Sequence, residues 1–420
     1  LKLIRTSIFS GIITIIRIGA GFVASKVIAV ITGPAGVAIV GIFTNFITIT
    51  LTFSNGAINT GVIKYTAENK DDSQELKLLF STSFKISISC SVFFGAVLII
   101  FSRLLSQLLF SSAEFVNPIL VLGATIILYS LNTMLTSILN GLGQIKTYTL
   151  VNTIGSVIGL LFTILLVYFY KIEGALYALV LAQSVVFFIT AVLLLKSPWF
   201  KLEYFTRPFN WNIGKKLGEY SLMAIVTALT VPIAQILLRN MLIQNLGVNS
   251  AGYWQGMMRI SDGYLLLITT SLSTYYLPKL SMLKEQNDLR KEIFKGYKII
   301  LPAVLFSCLI IYLLRSFIIK TLYTPEFLIM EKLFVWQLAG DFFKLAAWVL
   351  AYLMLAKSMT KVYIVTEIVF SLIYVALGHL FVANYGLIGI SIAFLLTYSL
   401  YLFAMIFIFR DLLFRRKIEL

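Results

Sequence analysis

Histidine and cysteine are almost missing from this 420-residue chain, with one copy of the first and two of the second. A single imidazole, His379, cannot build a multi-histidine metal centre, and it falls near the outer end of an apolar run, where an interfacial side chain is expected rather than a proton relay. Cys90 and Cys308 sit in separate apolar runs, so they make neither a disulfide framework nor a metal-ligand pair and read as packed side chains. Charge is scarce as well: Asp, Glu, Lys and Arg together supply 12% of residues, about half of what a soluble domain carries. No glycine-rich phosphate cradle or nucleotide motif occurs, which excludes direct ATP hydrolysis and leaves no cofactor to expect. No connection between apolar runs is long enough to form a domain of its own.

What is present is apolar: 59% of residues are hydrophobic and the mean hydropathy is +0.94. A bilayer core needs roughly 20 apolar residues per helical crossing, and the chain divides into twelve such runs, near residues 6–31, 38–63, 80–102, 116–140, 147–170, 174–195, 217–244, 250–276, 293–316, 330–356, 360–383 and 387–410. The first run follows Lys2 and Arg5 but carries Arg17 and Lys26 and no small-residue cleavage site, so it is expected to be an uncleaved helix rather than a secretory signal. The net charge of +16 does not mark a nucleic-acid binder, because Lys and Arg cluster in the short segments between runs. With both termini in the cytoplasm, 23 of the 34 Lys and Arg fall on cytoplasmic segments, including Lys2, Arg5, Lys284, Arg415, Arg416 and Lys417, against 5 on the opposite face (Arg103, Lys171, Arg315, Lys320 and Lys332). The positive-inside rule fixes the orientation from that bias.

The second half aligns weakly with the first at a shift of about 215 residues: Lys146-Thr147-Tyr148 falls on Lys361-Val362-Tyr363, and Ile172-Glu173-Gly174 on Leu387-Ile388-Gly389. Six crossings per half is an even number, so the halves share orientation, which predicts an all-α membrane protein of two six-helix bundles in a parallel pseudo-two-fold repeat. The expected division is a first bundle over 1–197, a cytoplasmic linker over 198–216 and a second bundle over 217–420.

Five charged residues, Arg17, Arg259, Asp262, Asp341 and Lys344, fall near mid-bilayer, where each costs about 2.5–3.5 kcal/mol if it faces lipid. They are expected to face protein or a water-filled cavity. Arg259 with Asp262, and Asp341 with Lys344, stand three apart and can also neutralise each other on their own helices. Lys26 and Arg239 lie close enough to the outer ends of their helices to snorkel. Arg17 and Lys26 are nine residues apart, out of phase on a straight helix, so presenting both to one cavity requires a bend at Gly19 or Gly21. Glu367, Asp262 and Asp341 are all candidate cation carriers, and the sequence does not choose among them. Embedded Arg17, Lys26, Arg239, Arg259 and Lys344 outnumber Asp262, Asp341 and Glu367. That sign suits an anionic substrate, and a diphosphate in particular, which takes forked contacts from guanidinium. Asn45, Asn55, Asn59, Asn132, Asn140, Gln255 and Gln337, with Trp254, Trp336 and Trp348, could hydrogen-bond and stack on a sugar; equally, buried amides glue helices together.

The segments Arg17-Ile18-Gly19-Ala20-Gly21, Gly33-Pro34-Ala35-Gly36, Gly252-Tyr253-Trp254-Gln255-Gly256, Ser261-Asp262-Gly263-Tyr264, Tyr276-Leu277-Pro278-Lys279 and Trp336-Gln337-Leu338-Ala339-Gly340-Asp341 resemble the Wzx-type flippases of lipid-linked oligosaccharides, a group that includes O-antigen translocases and lipid III flippases of the enterobacterial common antigen. The resemblance runs over the whole chain, and GPAG and GYWQG, taken as turns, are its more specific parts. It implies the MATE-like architecture of the multidrug/oligosaccharidyl-lipid/polysaccharide exporter superfamily, with two six-helix bundles alternating about a central cavity in the bacterial inner membrane. It implies transfer of an undecaprenyl-pyrophosphate-linked oligosaccharide to the periplasmic leaflet for lipopolysaccharide or common-antigen biosynthesis, with the polymerase and chain-length proteins of the pathway as partners. Arg17, Lys26, Arg259 and Asp262 stand where the family carries cavity charges. The expected assignments are therefore Arg17, Lys26, Arg239, Trp254, Arg259 and Lys344 to substrate binding and Asp262, Asp341 and Glu367 to ion coupling, with no catalytic residue and no metal. Two rivals fit less well: a cationic-drug exporter of the same superfamily favours an acidic cavity, and a membrane polymerase or glycosyltransferase needs a large external loop or a catalytic carboxylate motif.

Overall fold

The computed structural model describes residues 2–283, 285–357 and 359–414; Lys284, Arg415, Arg416 and Lys417 lie outside the described residues, as do the side chains of Lys2 and Arg5. Every regular element among the described residues is helical. The first half contains α1 (Lys2–Ser54), α2 (Asn59–Glu68), α3 (Ser73–Ile100), α4 (Ser102–Phe110), α5 (Val116–Gly141) and α6 (Ile145–Leu194). After it come α7 (Trp211–Leu246), α8 (Val248–Ser271), α9 (Leu277–Met282), α10 (Gln286–Leu313), α11 (Arg315–Leu322), α12 (Phe334–Ala356), α13 (Thr360–Tyr385), α14 (Leu387–Ile408) and α15 (Arg410–Phe414). Nine helices among the described residues are long and apolar enough to cross a bilayer. The protein is an all-α, multi-pass membrane protein.

Helices α1 and α6 run for 53 and 50 residues, more than twice the roughly 30 Å of a bilayer core at 1.5 Å per residue, and each is broken once. In α1 the break is Gly33 (φ 64°, ψ −168°), followed by Pro34. Proline has no N–H to return to the preceding turn and is preset for the first turn of a new helical segment. In α6 the break is Lys171 (φ 50°, ψ −123°), the geometry of the first central residue of a type II′ turn. The chain then doubles back so tightly that a Cβ on Gly174 would lie 1.9 Å from the Leu166 carbonyl oxygen. The same corner recurs between α13 and α14, where Gly386 has φ 59° and ψ −141° and a Cβ on Gly389 would lie 2.1 Å from the Phe381 carbonyl oxygen. Phe381, Gly386 and Gly389 each stand 215 residues after Leu166, Lys171 and Gly174, the shift at which the two halves align. The GYWQG segment differs from expectation: it is the interior of α8, and the turn before it is made by Gly247 (φ 84°).

The chain packs as two compact units, Leu1–Ile236 and Leu237–Leu420. In the first, α1 lies along α6, and α5 packs on both α6 and α3. Ser83, Ser87, Ser91 and Gly95 recur every fourth residue on α3 and are all buried, a small-residue stripe that lets backbones approach, as membrane helices require in the absence of a hydrophobic drive. A Cβ on Gly95 would meet the Gly123 oxygen of α5 at 2.7 Å. The end of α1 is satisfied by Ser91 of that stripe and by Ser130 of α5, whose Oγ atoms lie 3.0 and 3.2 Å from the Ser54 carbonyl oxygen they can donate to, which removes an orphan helix carbonyl from the interior.

The basic segment after α6 is not free either. Trp199 packs edge-on to Phe80 of α3, with ring centroids 5.7 Å apart, and Ser81 Oγ donates to the Phe205 carbonyl at 3.1 Å. Lys85 Nζ donates to the Arg207 carbonyl at 2.7 Å, and Lys77 pairs with Glu203 at 3.3 Å. These contacts join the basic stretch to the first unit, which runs on to Ile236. In the second unit α12 lies against α14 and α10, with α13 beside α14.

Candidate functional site

The second unit gathers most of the embedded charge. Helix α12 supplies Asp341 and Lys344 from one face, a spacing of three residues placing them one above the other. Asp341 is fully buried. Its Oδ2 accepts hydrogen bonds from Ser261 Oγ at 2.5 Å and Tyr264 Oη at 2.7 Å, both on α8, and Tyr264 Oη also lies 3.5 Å from Cys308 Sγ on α10. Its Oδ1 has no hydrogen-bond partner among the described residues. Lys344 is also buried, and its Nζ stands over three aromatic rings: Trp348 at 5.0 Å, Tyr398 at 5.4 Å and Phe394 at 5.7 Å to the centroids. Asp262, Asp341 and Glu367, from three different helices, all lie within electrostatic reach of this ammonium. Yet the ion pairs closed to 4.0 Å among the described residues, which include Lys64–Glu68, Lys77–Glu203 and Lys291–Asp288, do not involve this group. Neither i,i+3 pair is closed as a direct salt bridge on its own helix.

Arg259 and Asp262 are exposed, and Glu367 is half-buried. Arg239 and Trp254 are placed differently: at 1% and 0% exposure they are interior to the second unit. The Arg239 guanidinium lies 5.3 Å over the Trp254 ring and donates from Nη2 to Gln255 Oε1. In the first unit Arg17 is exposed and Lys26 half-buried. Helix α1 is unbroken between them, its one non-helical residue being Gly33, so Gly19 and Gly21 provide no break and the nine-residue spacing sets the two on opposite faces. His379 is exposed near the end of α13.

Several amides weighed as sugar contacts are internal bonds. Asn45 Nδ2 donates to Gln235 Oε1 at 3.0 Å, Thr190 Oγ1 donates to Asn132 Oδ1 at 2.7 Å, and Ser130 Oγ donates to Asn55 Oδ1. The residues that complete the Asp341–Lys344 group, Ser261, Tyr264, Cys308, Phe394 and Tyr398, carry no charge signal in the sequence. Only Trp348, one turn beyond Lys344, could have been found from spacing.

Residues 12–332 match the family model described as "Polysaccharide biosynthesis protein". The chain belongs to this polysaccharide biosynthesis protein family. It is similar to the lipid III flippases of Escherichia coli (strain K12) and Shigella flexneri, at 31% identity over 401 residues, covering 96% of this chain and 96% of each relative. Among solved structures, an inward-facing multidrug resistance MATE family transporter of the MOP superfamily superposes with a TM-score of 0.78 at 17% identity, covering 95% of this chain and 98% of that one. The lipid II flippase MurJ, in an inward closed conformation, superposes with a TM-score of 0.73 at 18% identity, covering 97% and 87%. This polysaccharide biosynthesis protein therefore has the MATE-like fold expected from its sequence.

Proposed function

We propose that this protein is a flippase that carries an undecaprenyl-pyrophosphate-linked oligosaccharide, an O-antigen repeat unit or lipid III, from the cytoplasmic to the periplasmic leaflet of the bacterial inner membrane by cation-coupled alternating access. The observation that carries the reading is the full-length similarity to lipid III flippases. The protein is a transporter and not an enzyme. Exposed Arg17 and Arg259 suit the diphosphate, since guanidinium binds phosphate oxygens through forked, charge-assisted bonds. Lys26 would draw the phosphates outward, while the polyprenyl tail stays in lipid. Asp262, Asp341 and Glu367 are the carboxylates available to the coupling cation. Arg239 and Trp254 would support this machinery from inside the second unit, because their burial keeps a glycan from touching them. The reading keeps twelve crossings in two parallel halves, both termini in the cytoplasm, and the polymerase and chain-length proteins of the pathway as partners.

Reconstitution in liposomes with an undecaprenyl-pyrophosphate oligosaccharide tests this directly, by protein-dependent appearance of the sugar on the opposite leaflet. Wild type is expected to transfer it and Arg17→Ala to lose at least about tenfold, the value of one charge-assisted contact of 1.5–3 kcal/mol. No transfer by wild type across several glycans and imposed ion gradients would overturn the flippase reading in favour of a small-molecule exporter.

A further inference from the structure

Gln337 and Asp341 stand one turn apart on one face of α12, both at 0% exposure. Among the described residues neither amide atom of Gln337 has a hydrogen-bond partner, and Oδ1 of Asp341 has none either. Buried polar atoms are nearly always paired, so this grouping on adjacent turns requires an account. Ser261 and Tyr264 both donate to Oδ2 of Asp341, which fixes the carboxylate and leaves Oδ1 as an unused anionic oxygen, one helical turn from the buried amide of Gln337. Hard oxygen donors of that kind bind hard cations.

The ammonium nearest to hand is Lys344, and it does not occupy that place. It rests on the faces of Trp348, Phe394 and Tyr398, with three carboxylates around it and none in ion-pair contact. Ring faces in a desolvated setting are a genuine seat for a cation, and a lysine stem is long and flexible enough to leave it. The ammonium thus has an observed seat on the rings and carboxylates within electrostatic reach of it. A bare buried carboxylate is costly in either case, so whichever cation leaves Asp341 must be replaced.

We propose that Lys344 is a tethered competitor for a monovalent cation, a proton or Na⁺, at a site built from Asp341 and Gln337. Lys344 rests in the aromatic box while the cation is bound and moves onto the carboxylates when the cation departs. The inference rests on the transporter reading and reassigns Lys344 from substrate contact to coupling. The other titratable or charged groups around the pair are Arg259, Asp262 and Tyr264 on α8, Cys308 on α10, Glu367 and Tyr374 on α13 and Tyr398 on α14.

The test uses the purified full-length protein in nanodiscs without glycolipid. Na⁺ binding is measured by titration calorimetry at fixed pH, and protonation by the infrared carboxylic C=O band across a pH series. One of the two arms is expected to respond in wild type and to vanish in Asp341→Asn. Lys344→Gln should tighten that cation at least about tenfold, since it removes a unit positive charge one helical turn away; in the infrared arm this reads as about one pH unit. Lys344→Arg should stay within about threefold of wild type. An unchanged or weakened affinity in Lys344→Gln overturns the proposal, as does binding that survives in Asp341→Asn or a wild type that binds neither cation. If Lys344→Gln does not purify, Trp348→Leu removes one wall of the box and should weaken cation binding at least about threefold; no change would be equally decisive. Because no glycolipid is present, this result and the flipping result can fail independently.

Discussion

Replacing Gly174 with alanine should break the corner of α6. The added Cβ would lie 1.9 Å from the Leu166 oxygen, 2.3 Å from its carbonyl carbon and 2.9 Å from the Val167 nitrogen. An ordinary carbon–oxygen contact is about 3.3 Å or more, so the corner must open by over 1 Å. All three neighbours are backbone, and none can turn aside as a side-chain tip would. Overpacking a tight interior costs about 1–3 kcal/mol when side chains can adjust, and the backbone clash places Gly174→Ala at or above about 3 kcal/mol, a loss of more than a hundredfold in the folded-to-unfolded ratio. Gly159→Ala on the same helix is the control. Its new Cβ would have Ala182 Cβ at 4.0 Å as its nearest neighbour, and alanine's helix propensity favours it by up to about 1 kcal/mol. Titrating both purified variants with SDS in mixed micelles, with tryptophan fluorescence as readout, measures the difference. Unfolding midpoints that coincide for Gly174→Ala, Gly159→Ala and wild type would show that the corner is looser than described and refute the reasoning.

At Lys171 a non-glycine residue holds a type II′ geometry that Gly386 adopts without strain, so Lys171→Gly should stabilise by about 1–2 kcal/mol, seen as a raised unfolding midpoint in the same assay. Ser130→Ala removes the one hydroxyl hydrogen that the Ser54 carbonyl and Asn55 Oδ1 share and should cost about 0.6–1.7 kcal/mol; a neutral result would leave Ser91 as sufficient cover for that carbonyl. Tyr264→Phe strips one of the two donors from Asp341 Oδ2 and should lower liposome transfer while costing about 1 kcal/mol of stability. Transfer at the wild-type rate would remove Asp341 from the coupling path.

Much of the helix pattern was legible because the bilayer leaves so few options. Runs of roughly twenty apolar residues had to be helices, and the break at Gly33-Pro34 follows from the chemistry of those two residues. The corner at Lys171 was marked by Lys171 and Glu173 interrupting an apolar stretch. What a one-dimensional reading could not assign was which way an embedded arginine turns. Arg239, placed near an outer end and able to snorkel, is turned into the unit against Trp254, while mid-bilayer Arg259 is exposed, and only the rotation of α7 and α8 decides that. The aromatic box was hidden for a related reason: Trp348 is four residues from Lys344, but Phe394 and Tyr398 arrive from α14, some fifty residues away in sequence. GYWQG was mistaken for a turn because two glycines suggest one, whereas inside a membrane helix small residues serve close packing. At Gly256 a Cβ would meet Met330 Sδ at 3.3 Å and the Phe327 ring at 3.4 Å.

The stretch from Trp199 to Asn210 looks like a polar tether, yet it is tied to α3 by ring contacts, backbone-directed hydrogen bonds and an ion pair. That matters for anyone mapping sidedness with reporter fusions. A reporter spliced in after Phe205 would tear this packing, and its signal would describe a damaged first unit rather than the side of the membrane on which the segment lies. Lys70 and Asp71 are exposed in the turn before Asp72, whose carboxylate caps α3. An insertion between those two residues leaves both the cap and the aromatic cluster whole, and its reading of cytoplasm or periplasm can be taken at face value.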